Sequence, residues 1–270
     1  MSATLDRISA LLALAERTDN EAEADAYLMK AQQLATLASV DLAVARARIA
    51  RREARQQPES RTTTIGEKGR RANPHLISLF VSIAHANDAQ VDVAANSTYV
   101  IGYGMPADLD VVETIFASLA VHMVHSSQAY VTGRSWAGET YVASASRGRR
   151  RQRRPHTAQT ARAAFYRSYV ERIGERLARA RADALDQVRR DDRQRTDDGP
   201  GGGVMVLREK AQEVRAFHAG ASRARGSWSG YSGGVRTASG TAAEAGRSAA
   251  SRARLTRHAE LPGKGPGITG

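Results

Sequence analysis

Positive charge is concentrated in the second half of this chain, and its densest run constrains the fold most strongly. Residues 1–140 carry 13 Lys and Arg against 16 Asp and Glu, a net charge of −3, whereas residues 141–270 carry 27 against 12, a net charge of +15. The two parts sum to the formal +12 of the chain. Six arginines stand in the eight positions 147–154. Like charges at this density repel each other, so the run must lie on the surface, extended unless anions screen it.

A charge imbalance of this size predicts a polyanionic partner. Nucleic acid, a ribonucleoprotein and an acidic membrane surface all fit such a pattern. The charge does not name a reaction, and no group of residues in the chain forms an enzyme signature. We therefore expect a binding protein rather than a catalyst, with no cofactor.

The composition excludes several classes of protein. The chain has no cysteine, which excludes disulfides, thiolate metal sites and cysteine nucleophiles. Its start lacks the basic and apolar regions of a signal peptide. The longest apolar stretch, 111–124, contains Glu113 and His122 and falls short of the roughly 20 residues of a membrane helix. We expect a soluble cytoplasmic protein without a membrane partner.

The first part of the chain is predicted to be a helical hairpin. Apolar residues recur at helical spacing from Thr4 to Ala15, and a polar turn follows. Asn20 with Glu23 three residues later forms a capping-box pattern at the start of a second helix, which reaches Ser39. Two helices joined by a short polar turn form an αα-hairpin.

A basic third helix and a linker follow the hairpin. The helix spans residues 42–56 and carries five arginines, and Pro58 ends it. We therefore assign residues 1–57 to the hairpin and its third helix. Residues 58–72 are polar, and we interpret them as a linker.

Residues 73–219 are predicted to form an α+β domain. Alternation at 90–93 and an apolar run at 98–103, separated by a turn, predict a β-hairpin. Residues 132–154 are predicted to be a loop, and 204–207 a short strand. The predicted helices span residues 74–87, 106–130, 155–190 and 208–219.

Residues 220–270 are rich in Gly, Ser, Ala and Arg, and we expect much of this tail to be flexible. Residues 241–254 are a candidate for a small Ala-rich helix. The fold class is therefore mainly α within an α+β architecture. It comprises an N-terminal αα-hairpin, a small α+β middle domain with a β-hairpin and long helices, and a flexible basic C-terminal extension.

The opening 40 residues resemble a known family. A helix stripe (I-x-x-L-L-x-L-A-E-x-T from Ile8), a polar turn (N-E-A-E-A from Asn20) and a second helix (K-A-Q-x-L from Lys30) stand in fixed register. This resembles the N-terminal domain of unknown function 2786 of uncharacterised bacterial and phage proteins. Residues 102–121 and 164–167 are similar to the α+β domain that commonly follows it. The resemblance implies a two-part architecture and no activity, and it suits a protein-contacting role for the hairpin.

Two segments hold the candidate nucleic-acid contacts. In the basic run, arginines would neutralise phosphates, and the next helix extends this surface. The tail mixes arginines with aromatic rings, a composition that binds single strands by phosphate attraction and base stacking. The candidates are Arg147, Arg149, Arg150, Arg151, Arg153, Arg154, Arg162, Arg223, Arg225, Trp228 and Tyr231. We expect the helix to add Arg167, Arg172, Arg176, Arg179 and Arg181 to the positive surface.

Other polar motifs favour structural roles. His122 and His125 lie three apart on a predicted helix and are weak candidates for a metal pair, since no H-E-x-x-H motif accompanies them. His85 and Asp88 are likewise only weak candidates for metal ligands. Residues 102–105 lack the third glycine of a dinucleotide fingerprint and the Gly-Lys-Ser/Thr of a P-loop, which favours a structural turn.

Taken together, the residues favour a non-enzymatic protein that binds nucleic acid or the ribosome. RNA is favoured over DNA because it is the more natural target of a basic, flexible arm. Two alternatives stay open. One is a metal-dependent hydrolase or nuclease that uses His122 and His125, and the other is a structural or assembly protein of phage origin.

Overall fold

The structure, a computed structural model, describes residues 57–143, 153–194, 202–226, 228, 230, 235–237 and 240–253, with isolated helical positions between 10 and 37. The predicted N-terminal hairpin, as an arrangement of two helices, and the basic third helix lie outside the described residues.

Five helices and six strands make up the described part of the chain, which confirms a mainly helical α+β fold. The helices are α1 (Asn73–Ala86), α2 (Pro106–Thr132), α3 (Ala158–Gln194), α4 (Gly203–Ala221) and α5 (Thr241–Arg252). The strands are β1 (Glu59–Thr64), β2 (Gln90–Val93), β3 (Tyr99–Gly104), β4 (Thr140–Ala143), β5 (Arg153–Pro155) and β6 (Val235–Thr237). None of the helices in these ranges is both long and apolar enough to cross a membrane.

The first sheet has the antiparallel order β1-β3-β2. It confirms the predicted β-hairpin, in which β2 pairs with β3, and corrects the prediction that residues 58–72 are a linker. The strand β1 looks like a linker because its contacts with α2 are polar. Arg61 donates from Nη1 to Asp110 at 2.5 Å, and Nη1 also lies 3.4 Å from Glu113. Hydrophobic periodicity detects strands that bury apolar side chains on one face, so it does not detect a strand that is held in place by ion pairs.

The second sheet has the order β5-β4-β6, and both of its neighbouring pairs are antiparallel. All of β4 and the first two residues of β5 fall within residues 132–154, which were predicted to be a loop, and Pro155, predicted to begin a helix, ends β5. The strand β5 lies at the sheet edge, and Arg153 and Arg154 on it are exposed. Charged side chains on an edge strand protect it from pairing with other chains, and they also hide the strand from a hydrophobic pattern search.

The core lies between α1, α2, α3 and α5. The helix predicted at 155–190 corresponds to α3, and an apolar stripe of residues four apart along it, Phe165, Tyr169, Ile173 and Leu177, is buried. The α1 ring of Phe80 meets the α2 ring of Phe116 edge to face, with centroids 5.1 Å apart. Burial of these side chains supplies most of the driving force for folding.

The predicted flexible extension contains a packed helix. The candidate helix at 241–254 is confirmed by α5, and its Ala249 and Ala250, with Ala253 just after it, belong to the core. Gly246 faces α3 so closely that a Cβ there would collide with the backbone carbonyl of Phe165. The small residues that make this segment look unfolded are the ones that allow two helix backbones to approach each other.

The predicted strand at 204–207 is helical and forms the first turns of α4. A four-residue apolar run fits a strand or a buried helix equally well by periodicity. A contact from α3 favours the helix, because the carboxylate of Asp192 in α3 accepts hydrogen bonds from the backbone N–H groups of Gly203 at 2.7 Å and Val204 at 3.0 Å. An acidic side chain that accepts first-turn N–H groups stabilises a helix start.

Replacing Gly246 with Ala tests the contact between α3 and α5. We expect a loss of about 1–3 kcal/mol in the free energy of unfolding, because the new methyl group meets backbone rather than a movable side chain. Urea denaturation followed by circular dichroism measures this. The matched control is Gly220→Ala in α4, where nothing lies within 4 Å of the added Cβ, and its stability should stay the same or rise. Equal effects of the two substitutions would contradict the packing described above.

Candidate nucleic-acid interface

A cleft of about 1040 Å³ opens where the first turns of α1 and α3 meet the β2–β3 turn. Its walls combine guanidinium groups with amide and hydroxyl side chains. The polar lining residues are Arg70, Arg71, Asn73, His75, Asn96, Ser97, Gln159, Arg162 and Tyr166. The volume lies at the upper end of the range of about 300–1,000 Å³ that is typical of ligand pockets.

Asn73 fixes one side of the cleft. Its side-chain amide donates to the carbonyl oxygens of Glu67 at 2.9 Å and Ser97 at 2.8 Å. Asn73 is buried, and through these two bonds it connects the loop that carries Arg70 and Arg71 to the β2–β3 turn. These two bonds hold both loops at the entrance of α1.

The opposite wall is the start of α3. Thr157 and Thr160 cap this helix reciprocally, with Thr160 N donating to Thr157 Oγ1 at 3.2 Å and Thr157 N donating to Thr160 Oγ1 at 2.8 Å. The next two residues, Ala158 and Gln159, line the cleft. The first N–H groups of a helix have no intrahelical acceptor, so this wall has a positive potential.

The floor of the cleft contains a neutral histidine. His75 is buried, and its ring centroid lies 5.4 Å from that of Tyr166. Burial lowers the pKa of His75 to about 4, and the nearby positive charge of Arg167 adds to the effect. The floor therefore adds no charge at neutral pH.

Two of the three arginines in the cleft lack a carboxylate partner in the described part of the chain. Arg70 is the paired one, with Nη2 lying 2.6 Å from Glu67. Arg71 is exposed and has no partner among the described residues. Arg162 donates from Nη2 to Gln128 at 2.6 Å, but its Nε is buried and has no acceptor in the described ranges. A buried donor without an acceptor is costly, which makes Arg162 the most informative residue of the cleft.

The arginine run leads directly into the cleft wall. Residues 144–152 connect β4 to β5, and α3 begins three residues after β5 ends. Arg153 and Arg154 are therefore exposed on a strand next to the α3 wall. The remaining predicted residues of the run lie outside the described residues: Arg147, Arg149, Arg150 and Arg151.

Most of the predicted positive surface along α3 is used internally, which corrects the expectation of a basic helix face. Arg176 is buried and donates to the carbonyl oxygens of Ala250 and Ala253. A cation at the C-terminal end of α5 stabilises its last carbonyls.

Three more of the predicted α3 arginines bind neighbouring side chains or carbonyl oxygens. Arg181 pairs with Asp88 and donates to the carbonyl oxygens of His85 and Ala86. Arg167 pairs with Glu171 at 2.8 Å, and Arg172 donates to Ser251 at 3.1 Å. Among the five arginines expected to extend the surface along α3, only Arg179 is exposed without a partner in the described ranges.

The predicted residues of the tail do not line the cleft. Arg223 and Arg225 are exposed just after α4, and Trp228 is 39% exposed. Tyr231 lies outside the described residues. Directly after α4, the hydroxyl of Ser222 donates to Asp92 in β2 at 2.7 Å. The cleft and the tail are therefore separate basic regions in the described part of the chain.

The other candidate motifs have structural partners. His122 lies 3.0 Å from the Tyr169 hydroxyl through Nδ1, whereas His125 is exposed. No group of three or more metal-ligating side chains occurs in the parts of the chain that the structure describes. Gly104 is packed so that an added Cβ would lie 3.3 Å from both Ala89 and Leu109, which explains this glycine by packing.

Sequence reasoning missed a cluster of polar groups between β2, β3 and α4. Asp92 accepts hydrogen bonds from Tyr103 at 2.9 Å and from Ser222, and lies 2.9 Å from His218 Nε2. Burial opposes ionisation of Asp92, but the hydrogen bonds outweigh it and hold its pKa below the usual value. No spacing rule finds such a cluster, because its members come from three separate elements. It fixes α4 on the first sheet.

Comparisons with known proteins bear on the N-terminal segment only. Residues 3–42 match the family model described as a protein of unknown function, DUF2786. This confirms the resemblance of the opening segment. No curated protein and no solved structure matches the chain.

The buried His75 predicts a loss of stability in weak acid. Its pKa falls from 6.5 to about 4 on folding, so between these values the unfolded chain binds a proton that the folded protein does not. Stability therefore falls as pH falls, and from pH 7 to pH 5 this histidine contributes a loss of about 2 kcal/mol. Urea denaturation at both pH values should show a smaller pH dependence for His75→Gln than for the unchanged protein. A pH dependence of His75→Gln equal to that of the unchanged protein would contradict the assignment to His75.

Proposed function

We propose that this protein binds nucleic acid, without catalysing a reaction on it, through the cleft and the arginine run that leads into it. The observation that carries the proposal is the buried Nε–H of Arg162, which has no acceptor in the described part of the chain, in a cleft that is also lined by Arg71, whose guanidinium has no partner among the described residues. RNA, alone or in a ribonucleoprotein such as the ribosome, is the favoured partner.

Phosphate is the ligand group that best matches this arrangement. A guanidinium donates two parallel hydrogen bonds to phosphate oxygens, and an ionised acceptor makes each of them stronger. The first-turn N–H groups of α3 favour an anion at the same wall. A phosphate in the cleft would thus satisfy the donor of Arg162 and gain from the charge of Arg71.

A polymer fits better than an isolated phosphate. The exposed arginines of β5 lie a few residues before the α3 wall in the chain, and the sequence of the run at 147–154 adds further positive charge before them. Each neutralised phosphate of a polymer releases condensed counterions, a gain that one small anion does not offer. Four other α3 arginines, Arg167, Arg172, Arg176 and Arg181, contact neighbouring groups of the protein and are not part of the proposed surface.

The predicted N-terminal hairpin supplies a different contact in this proposal. It is joined to the cleft-bearing part by a basic segment, and we propose that it binds a protein partner in the cytoplasm. The cleft would then hold nucleic acid while the hairpin directs the protein to its site of action.

The double variant Arg71→Gln/Arg162→Gln tests the role of the cleft. Because hydrogen bonds to charged groups contribute about 1.5–3 kcal/mol each, we expect at least about tenfold weaker binding of a labelled RNA oligonucleotide. The slope of log K against log salt should fall by roughly 1.4 for two lost phosphate contacts with a single strand. Fluorescence anisotropy from low to moderate salt measures both quantities.

The matched control is Arg179→Gln/Arg193→Gln, which removes the same charge from exposed positions farther along α3. Arg179 lies 17 residues beyond Arg162, about 26 Å along the helix axis. Its binding should stay within about twofold of the unchanged protein, because distant exposed charges are screened. Equal losses in the two variants would show that net charge, rather than the cleft, attracts the ligand.

A further inference from the structure

Resting on the function proposed above, we infer that the ligand of the cleft is a single-stranded polynucleotide, bound along a track from the α1 wall past Arg162 to the edge strand β5. Such a ligand is single-stranded rather than duplex, and the protein contacts several consecutive nucleotides of it.

The buried position of Arg162 Nε, which has no acceptor in the described part of the chain, favours a narrow and flexible ligand over a stiff one. Arg162 lines the cleft and its Nε is buried, so an acceptor that approaches from the cleft would have to displace the surroundings of Nε slightly to reach it. A duplex is a stiff rod with its phosphates on a convex surface, and bending it into a concave site is costly. A single strand has free backbone torsions and can place one phosphate inside while its neighbours stay at the rim.

The positive groups come from both walls of the cleft and from the strand that precedes α3. Arg70 and Arg71 stand on the α1 side, Arg162 stands on the α3 side, and Arg154 and Arg153 continue beyond it on β5. From Arg154 to Ala158 the chain spans at most about 14 Å, and from Ala158 to Arg162 the helix rises about 6 Å. A strand of a few nucleotides covers this distance, so we expect a site of roughly 4–8 nucleotides, at the short end of the range for single-strand grooves.

The lining also predicts weak preference for base sequence. The aromatic ring in the cleft, Tyr166, is buried and packed against His75, so it offers no face for stacking. The groups next to the arginines are amides and hydroxyls, from Asn96, Ser97 and Gln159. Such groups contact sugars and phosphates of any sequence, and therefore the backbone contributes most of the affinity.

The test compares strands of one sequence in different forms. A labelled 20-nucleotide RNA, the DNA strand of the same sequence, and the duplex of each are titrated with the full chain at one low salt concentration. We expect both single strands to bind at least about tenfold more tightly than the duplexes. A series of strand lengths should reach its full affinity at roughly 4–8 nucleotides. Equal binding of RNA and DNA strands, or preference for either, supports the inference.

The variant Arg162→Gln shows whether the cleft produces the preference. It should bring the affinity for single strands down toward that for duplexes, whereas Arg179→Gln should preserve the difference. Duplexes bound as tightly as single strands, or a preference that Arg162→Gln leaves intact, would overturn this inference while nucleic-acid binding itself stands. Absence of binding to all four ligands at low salt would overturn the proposed function and this inference together.

Discussion

Burial of one face of α3 is the constraint on which the rest of the structure depends. Phe165, Tyr169, Ile173 and Leu177 follow helical spacing and are buried between α1, α2 and α5. Once this face is fixed, the direction of every other side chain on the 37-residue helix follows. Arginines beside the stripe reach carbonyls and carboxylates of neighbouring elements, as Arg176 does, and contribute to stability instead of to an external field. A high density of arginine in sequence therefore overstates the positive surface of the folded protein.

The first two turns of α3 differ from the rest of the helix, because there a buried donor has no acceptor among the described residues. Its capping threonines satisfy part of the helix end, whereas Arg162 keeps a buried N–H group without an acceptor in the described part of the chain. Maintaining such a group costs stability in the free protein. Asn73 holds the opposite wall in place through two hydrogen bonds, so the cleft is formed before a ligand arrives. Preorganisation of this kind reduces the entropy lost on binding.

Sequence reasoning predicted the parts of the fold whose burial is apolar and periodic. The stripe of α3 and the hairpin of β2 and β3 follow spacings of 3.6 and 2 residues, so their patterns are visible without tertiary information. The strand β1 was missed because Arg61 fixes it through ion pairs, and the packing of α5 was missed because Gly and Ala carry almost no hydrophobic signal. Of the cleft, only Arg162 was predicted as a contact. Arg71 stood in an apparent linker, and the bonds of Asn73 that bring the two walls together join residues distant in sequence.

The most direct test of the account observes the arginine side chains themselves during binding. Titrating the protein with a short single-stranded oligonucleotide, while recording the Nε–Hε NMR signals of its arginines, reports which guanidinium groups gain an acceptor. The account predicts that the signals of Arg162 and Arg71 shift and become protected from exchange with solvent, and that the signals of Arg176 and Arg179 stay in place. A complex in which the Arg162 signal does not move, while arginines elsewhere shift, would contradict it.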